Sequence, residues 1–203
     1  AIALAAAALF CATAFLFWPL TGNPWPTYLC VPVLGFVALY SYTKRFTALC
    51  HVFLGAALAV CPLAAGLAVR PESLADVHTL YWLAGFVLLW VAGFDVIYAL
   101  QDLDFDTGRE LHSIPAKLGW RGAVWMSRLM HAAAFCALVM SASADARLES
   151  IYLVGVAGVG GLLLVEHITL AKRGEAGIPM VFFTYNGLAS LVIGAAGVLD
   201  LVL

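Results

Sequence analysis

The sequence predicts an all-α protein: a single-domain, polytopic membrane helix bundle over residues 1–203, with about seven transmembrane helices. The composition is the first observation, because 64% of the residues are hydrophobic and only 11% are charged, against roughly 25% charged in soluble domains. Such a chain would expose more apolar surface than water tolerates, so its solvent is a lipid bilayer. The second observation is that the long apolar runs lack the period-two alternation of transmembrane β-strands.

The spans follow from the breaks between the apolar runs, because a bilayer core about 30 Å thick needs about 20 apolar residues per helix. In chain order the breaks are PLTGNPWP, Lys44-Arg45, Arg70-Pro71-Glu72, the polar stretch 102–121, and the charged stretches 145–149 and 172–177. The seven predicted spans are residues 1–20, 27–43, 46–69, 75–101, 121–142, 150–171 and 179–203.

Lysine and arginine predict the orientation, because cells retain both on the cytoplasmic side of the membrane. If successive breaks alternate between the two faces, only Arg70 and Arg147 lie on one face. The other face is therefore predicted to be cytoplasmic, and residue 1 is expected on it. The basic residues on this face are Lys44, Arg45, Arg109, Lys117, Arg121, Lys172 and Arg173.

Several function classes lack support in the sequence. A net charge of −2 argues against nucleic acid as a partner, which needs a concentrated basic face. No Walker loop, GxSxG, GxGxxG or HExxH is present. The five histidines fall in different runs and are not expected to cluster, and Glu166-His167 is interpreted as an interfacial or packing pair. Asn186 is expected to form an interhelical hydrogen bond.

The chemistry is expected in the polar stretch that begins inside the fourth span. On a continuous helix Asp95, Asp102 and Asp106 fall within about 20° of one line. Carboxylates so placed repel one another near hydrocarbon, and a divalent cation relieves that repulsion. Hard oxygen ligands select Mg²⁺, which completes its shell with phosphates. We therefore predict a Mg²⁺–diphosphate site here. Alternatives are a charged loop that only caps two helices, a cation transporter pathway, and a scaffold that binds another protein.

Basic residues on the same predicted face would complete such a site. Lys44 and Arg45 follow Tyr40 in YSYTKRF, and both side chains suit phosphate oxygens. Lys117 follows the aspartates and is a further candidate. The alternative for each of these residues is that its charge only keeps the loop on the cytoplasmic side and so sets the orientation of the helices.

Two segments resemble the UbiA superfamily of membrane prenyltransferases. YSYTKRFT, residues 40–47, is similar to the family's YxxxK element and the run that follows it. DVIYALQDLDFD, residues 95–106, with HSIPAKLG, residues 112–119, is similar to its second aspartate-rich motif and trailing segment. The resemblance implies a nine-helix fold, of which this chain would be the distal seven helices. The family's first two helices and its first motif, NDxxDxxxD, are then expected upstream of residue 1.

The resemblance also implies an activity: Mg²⁺-dependent transfer of a polyprenyl group from polyprenyl diphosphate to an aromatic acid. The expected acceptor is 4-hydroxybenzoate or a dihydroxynaphthoate, in ubiquinone or menaquinone synthesis at a bacterial inner membrane, with the site on the cytoplasmic side. Asp95, Asp102 and Asp106 would be metal ligands and, with Arg45, catalytic. The expected substrate-binding residues are Tyr40, Lys44, Arg45, Tyr98 and Lys117.

Overall fold

The computed structural model describes residues 2–203, and every regular element in that range is helical. Seven long helices form the bundle, and two short helices lie in the connections. A 3₁₀ turn at Ala99–Asp102 follows α5, and a π-helical segment at Met180–Tyr185 precedes α9. The helices are α1 Ile2–Thr21, α2 Trp25–Thr43, α3 Cys50–Val69, α4 Ser73–Asp76, α5 Thr79–Tyr98, α6 Leu103–Gly108, α7 Ile114–Ser143, α8 Ser150–Arg173 and α9 Asn186–Val202.

The predicted spans correspond one by one to the seven long helices. Six helical stretches are long and apolar enough to cross a membrane, and they contain every long helix except α2; the stretch with α9 begins at Met180 and includes the π-helical segment. Proline, threonine, serine and tyrosine lower the hydropathy of α2. A clear boundary difference is in α7, which begins at Ile114 rather than at residue 121. The first part of the span predicted from residue 179 is the π-helical segment, and α9 begins at Asn186. Ser113 caps this earlier start, with its Oγ accepting the N–H of Ala116 at 3.2 Å. The helix is interrupted at Gly119, whose φ of 64° suits only glycine.

Helix α5 is the centre of the bundle and packs against α3 on one side and α7 on the other. Its residues Phe86, Val96 and Ile97 are almost wholly buried. The α3–α5 approach is close because Gly55 has no side chain: a Cβ there would lie 2.2 Å from the backbone oxygen of Leu88. Helices α8 and α9 pack against each other and complete the core.

Large apolar side chains cover much of the outer surface, which fits a bilayer as solvent. Leu4 is 77% exposed, Val154 72% and Leu191 70%. In water such a surface would drive aggregation, whereas hydrocarbon solvates it without cost. The helix lengths and this surface together support an integral membrane protein.

The connections alternate between the two ends of the bundle, as the topology argument requires. At one end, which we call the motif end, the connections 44–49, 99–113 and 174–179 meet. The backbone N–H of His112 donates to the carbonyl oxygen of Lys44 at 2.8 Å, and Ile178 packs with Ile97 and Leu100.

At the opposite end, the side chain of Asn23 donates to the carbonyl oxygen of Leu67 at 2.8 Å. The Asp200 carboxylate accepts the backbone N–H of Tyr152 at 3.1 Å. The placement predicted for residue 1 lies outside the described residues.

Candidate active site at the motif end

Lys44 links the two sequence segments that were singled out. It follows the last turn of α2, and its Nζ lies 2.8 Å from Oδ1 of Asp106 and 3.8 Å from Oδ2 of Asp102. The Lys44 side chain is 31% exposed, so its amine lies at the boundary between the bundle and the solvent. One cation therefore faces two carboxylates, which belong to the 3₁₀ turn and the short helix α6 that follow α5 in the chain.

Asp106 is the buried member of this group. Its side chain has no exposed surface, and its Oδ2 accepts the hydroxyl proton of Ser113 at 2.9 Å. Ser113 is also the residue that caps α7, so one hydroxyl fixes both the helix start and the carboxylate. Ser113 is a site residue that local sequence does not reveal: its position before Ile114-Pro115 is typical of a helix cap, but nothing near it in the sequence indicates the contact with Asp106.

Asp102 and Asp95 have different surroundings. The Asp102 side chain is 55% exposed and faces outward beside Lys44. The Asp95 side chain is 19% exposed, and its Oδ2 lies 2.7 Å from Nδ1 of the buried His51. The backbone N–H of Ile114 donates to Nε2 of the same ring at 3.4 Å. This second bond leaves the proton on Nδ1, which donates it to Asp95. His51 is a further site residue that sequence reasoning missed, because its partner is 44 positions away.

A cavity of about 220 Å³ opens between these residues. It is lined by residues from α2, α3 and α5, so it is bounded by the three helices that the two motifs bring together. Its volume suits a small polar group rather than a long hydrocarbon chain, since pockets for drug-sized ligands begin at about 300 Å³. The polar or aromatic side chains in its wall are Tyr40, Lys44, His51, Asp95, Tyr98 and Asp102.

An aromatic cluster borders the cavity. The ring of Tyr98 lies 4.2 Å from that of Phe182, between centroids, and Phe182 also meets the edge of Phe94 at 5.3 Å. Phe182 belongs to the π-helical segment before α9, a type of distortion often found at functional sites. The ring faces here suit a cationic or apolar ligand.

Two predicted site residues, Arg45 and Lys117, do not line the cavity and form no ion pair with its aspartates. Arg45 is exposed, and its guanidinium lies 5.4 Å from the centroid of the Tyr42 ring. Lys117 is exposed in the first turns of α7 and forms no ion pair within residues 2–203. Both lie at the motif end, and their roles as substrate-binding residues stay predictions.

The donor set fits Mg²⁺ when substrate phosphates supply part of its shell. Asp102 and Asp106 face the same amine, and Mg²⁺ in phosphate sites is held by only one or two carboxylates. Asp95, in contrast, is engaged by His51. Its predicted role as a third metal ligand therefore stays a prediction, and positioning through His51 is the contact that is observed.

The expectation that the histidines would not cluster is wrong. His131 on α7 and His167 on α8 lie 3.1 Å apart between ring nitrogens, and Glu166 lies beside them. Glu166 is buried and His167 is half-buried, so of the two interpretations of the pair Glu166-His167 the packing role is the one observed. The expectation for Asn186 is confirmed, because its Oδ1 accepts the indole N–H of Trp90 at 2.8 Å.

Comparison with known proteins gives consistent results. The sequence profile of the UbiA prenyltransferase family matches residues 1–188. A 4-hydroxybenzoate octaprenyltransferase from Marinobacter nauticus is 28% identical over 185 residues, which are 89% of this chain and 61% of that protein. The apo structure of a UbiA homolog from Aeropyrum pernix K1 superposes with a TM-score of 0.84 at 31% identity, covering 98% of this chain and 70% of the other. The chain therefore spans less than two thirds of the curated relative.

Proposed function

The chain belongs to the UbiA prenyltransferase family, and from that membership we propose that it transfers a polyprenyl group from polyprenyl diphosphate to an aromatic acid. The acceptor is 4-hydroxybenzoate or a dihydroxynaphthoate, and the product enters quinone synthesis. The relative from Marinobacter nauticus, named as a 4-hydroxybenzoate octaprenyltransferase, supports the first acceptor. The site faces the cytoplasm of a bacterial inner membrane, in line with the excess of Lys and Arg at the motif end.

The observation that carries this proposal is the position of Lys44 between Asp102 and Asp106 at the edge of the cavity. A diphosphate needs cations, and a buried carboxylate needs one as well. Without substrate, Lys44 forms an ion pair with Asp106. When substrate binds, the Lys44 amine donates instead to the phosphate oxygens. Asp102 and Asp106 would hold a Mg²⁺ ion, whose charge would help to stabilise the departing diphosphate.

The reaction requires charge separation that these side chains are placed to support. The allylic C–O bond breaks, its electron pair leaves with the diphosphate, and the prenyl carbon becomes cationic. Lys44 stabilises the leaving group electrostatically, and Arg45 can reach the same anion from the exposed side. The ring faces of Tyr40 and Tyr98 shelter the cation. A ring carbon of the acceptor then forms the new C–C bond, and its proton passes to the released diphosphate or to water.

His51 and Asp95 line the same cavity as Lys44. Because His51 donates Nδ1–H to Asp95, that carboxylate keeps one oxygen free toward the cavity. A free carboxylate oxygen beside an aromatic acceptor can accept a phenolic proton or orient a water molecule. Asp95 is therefore placed to position the acceptor.

The activity assay uses the whole gene product, purified in detergent, with polyprenyl diphosphate, Mg²⁺ and each candidate acceptor, and detects the prenylated acid by mass spectrometry. Asp102→Asn is expected to lower kcat about 10²- to 10³-fold, the effect of removing one charge-stabilising group. Asp104→Asn is the matched control, because Asp104 is equally charged, exposed and two residues away, and it forms no ion pair in the part of the chain that the structure describes. Equal turnover by the two variants would contradict the proposed site, and cation flux without prenyl transfer would favour a transporter.

A further inference from the structure

A second polar cluster lies inside the bundle, away from the motif-end cavity. It consists of His131 on α7 with Glu166 and His167 on α8. His131 contacts the backbone of Trp90 on α5, which is five residues before Asp95 and about 140° around the helix axis from it. The cluster and the aspartate site therefore occupy different sides of α5.

The three side chains converge like metal ligands. One nitrogen or oxygen of each lies within 4.8 Å of the corresponding atoms of the other two. His131 Nδ1 is 3.1 Å from His167 Nε2 and 3.6 Å from Glu166 Oε1. In a tetrahedral zinc site with ligand distances of about 2.0–2.1 Å, neighbouring ligand atoms are about 3.3 Å apart. Two observed distances bracket that value.

The ring of His131 is held in the orientation that a ligand needs. Its Nε2 lies 3.2 Å from the carbonyl oxygen of Trp90, which can only accept a hydrogen bond. The proton is therefore on Nε2, and the lone pair of Nδ1 points at His167 and Glu166. A backbone carbonyl on the second ring nitrogen is the usual support of a metal-binding histidine. Gly93 makes room for this ring, since a Cβ there would lie 2.3 Å from Cδ2 of His131.

The burial of Glu166 is a second observation, separate from the ligand distances, that indicates a bound cation. Its side chain is 1% exposed, and its Oε1 has no hydrogen-bond partner among residues 2–203. No lysine or arginine in that range forms an ion pair with it. A buried carboxylate without a partner is costly, and a divalent cation shared with two imidazoles removes that cost.

We propose that His131, Glu166 and His167 bind one divalent transition-metal ion with the ligand preferences of Zn²⁺. Two imidazoles and one carboxylate select such an ion over Mg²⁺, which prefers oxygen ligands and water. Three protein ligands leave a fourth position open. The two histidines line a cavity of about 840 Å³, whose other lining residues are Arg128 and apolar residues. A water molecule or the anionic end of an apolar molecule completes the shell.

The test is a metal titration of the purified protein in detergent after removal of metals with a chelator. Co²⁺ serves as the probe, because its visible absorption reports tetrahedral nitrogen and oxygen ligation, and Zn²⁺ then competes with it. We expect one equivalent to bind per chain, with Mg²⁺ in excess unable to displace it. Absence of saturable Co²⁺ or Zn²⁺ binding by the wild-type protein would overturn the proposal, and would mean that the cluster is only a hydrogen-bonded network.

Variants identify where the metal binds. His131→Ala and Glu166→Gln are each expected to weaken Co²⁺ binding about tenfold or more. His78→Ala is the matched control, because His78 is exposed at the opposite end of the bundle and should leave binding unchanged. Gly93→Ala removes no ligand but displaces the His131 ring, so it should also weaken binding.

The double variant Asp102→Asn, Asp106→Asn separates this proposal from the proposed function. Co²⁺ binding that persists in it supports the His–Glu–His site even if prenyl transfer is lost. Co²⁺ binding that disappears in it but persists in His131→Ala would show that the metal binds at the motif end, and the proposal would be wrong.

Discussion

Replacing Lys44 by methionine isolates the interaction on which the aspartate site depends. The change keeps most of the side-chain volume and removes the charge that lies 2.8 Å from Asp106 Oδ1. With an effective dielectric constant of about 20, the direct attraction at this distance is about 6 kcal/mol. Desolvation of both groups cancels a large part of that value.

The net effect can be bounded from the exposure of the two partners. Removing one partner of a fully buried pair costs about 3–5 kcal/mol, whereas exposed pairs contribute about 0–1 kcal/mol. Asp106 is fully buried, but Lys44 is 31% exposed. We therefore expect Lys44→Met to lower the free energy of unfolding by about 2–3 kcal/mol. The partner at 3.8 Å, Asp102, is 55% exposed, so its replacement by asparagine should cost at most about 1 kcal/mol.

The assay is unfolding in mixed micelles of a mild detergent and SDS, followed by tryptophan fluorescence. A double-mutant cycle of Lys44→Met with Asp106→Asn should give a coupling energy of about 1–3 kcal/mol. Arg45→Met is the matched control, since Arg45 contacts the Tyr42 ring and forms no ion pair with a carboxylate among residues 2–203. A coupling energy near zero, or an equal loss of stability in the Lys44 and Arg45 variants, would refute the reasoning.

Three further outcomes are expected. Gly55→Ala should lower the free energy of unfolding by about 1–3 kcal/mol, because the new Cβ would lie 2.2 Å from the backbone oxygen of Leu88. Gly35→Ala is the control, because open space surrounds that position, and it should leave the melting temperature unchanged or raise it. Asn186→Leu should cost about 1–2 kcal/mol in thermal unfolding, because the indole of Trp90 loses its acceptor, and an unchanged Tm would argue against that bond. Chelation should abolish prenyl transfer and Mg²⁺ alone should restore it; full turnover in EDTA would contradict Mg²⁺ dependence.

The fold could be predicted from the sequence because the bilayer imposes simple rules on composition. Charges and prolines mark the ends of apolar runs, and the observed helices follow those marks closely. The exception at α7 is instructive, because the helix begins at Ile114 and breaks at Gly119. The charge of Lys117 and the helix-breaking tendency of Gly119 indicate a loop, so the sequence did not predict this first part of α7. Ser113 stabilises it by capping the helix.

The candidate site could be predicted in part. The alternation of faces brought Lys44 to the same end as Asp102 and Asp106, and the ion pairs confirm that proximity. The sequence could not show which of Lys44 and Arg45 contacts the aspartates. The two side chains point in directions about 100° apart if the helix continues through them, and the sequence does not show which direction is toward the aspartates. Which of them faces the aspartates depends on how α2 docks.

The contacts that the buried histidines make between helices could not be predicted. His51 and Asp95 are 44 residues apart, and His131 and His167 are 36 apart. Their meeting depends on the rotation and depth of each helix in the bundle, which are set by packing of small residues such as Gly55 and Gly93. No local pattern around these histidines encodes that register.

The most direct test is an experimental structure of the protein with Mg²⁺ and an unreactive prenyl thiodiphosphate. The account predicts that Lys44 leaves Asp106 and donates to the diphosphate at about 2.7–2.9 Å, with Asp102 on the same side and the prenyl chain extending toward lipid. A diphosphate bound instead beside Arg128, with the Lys44–Asp106 pair intact, would contradict it.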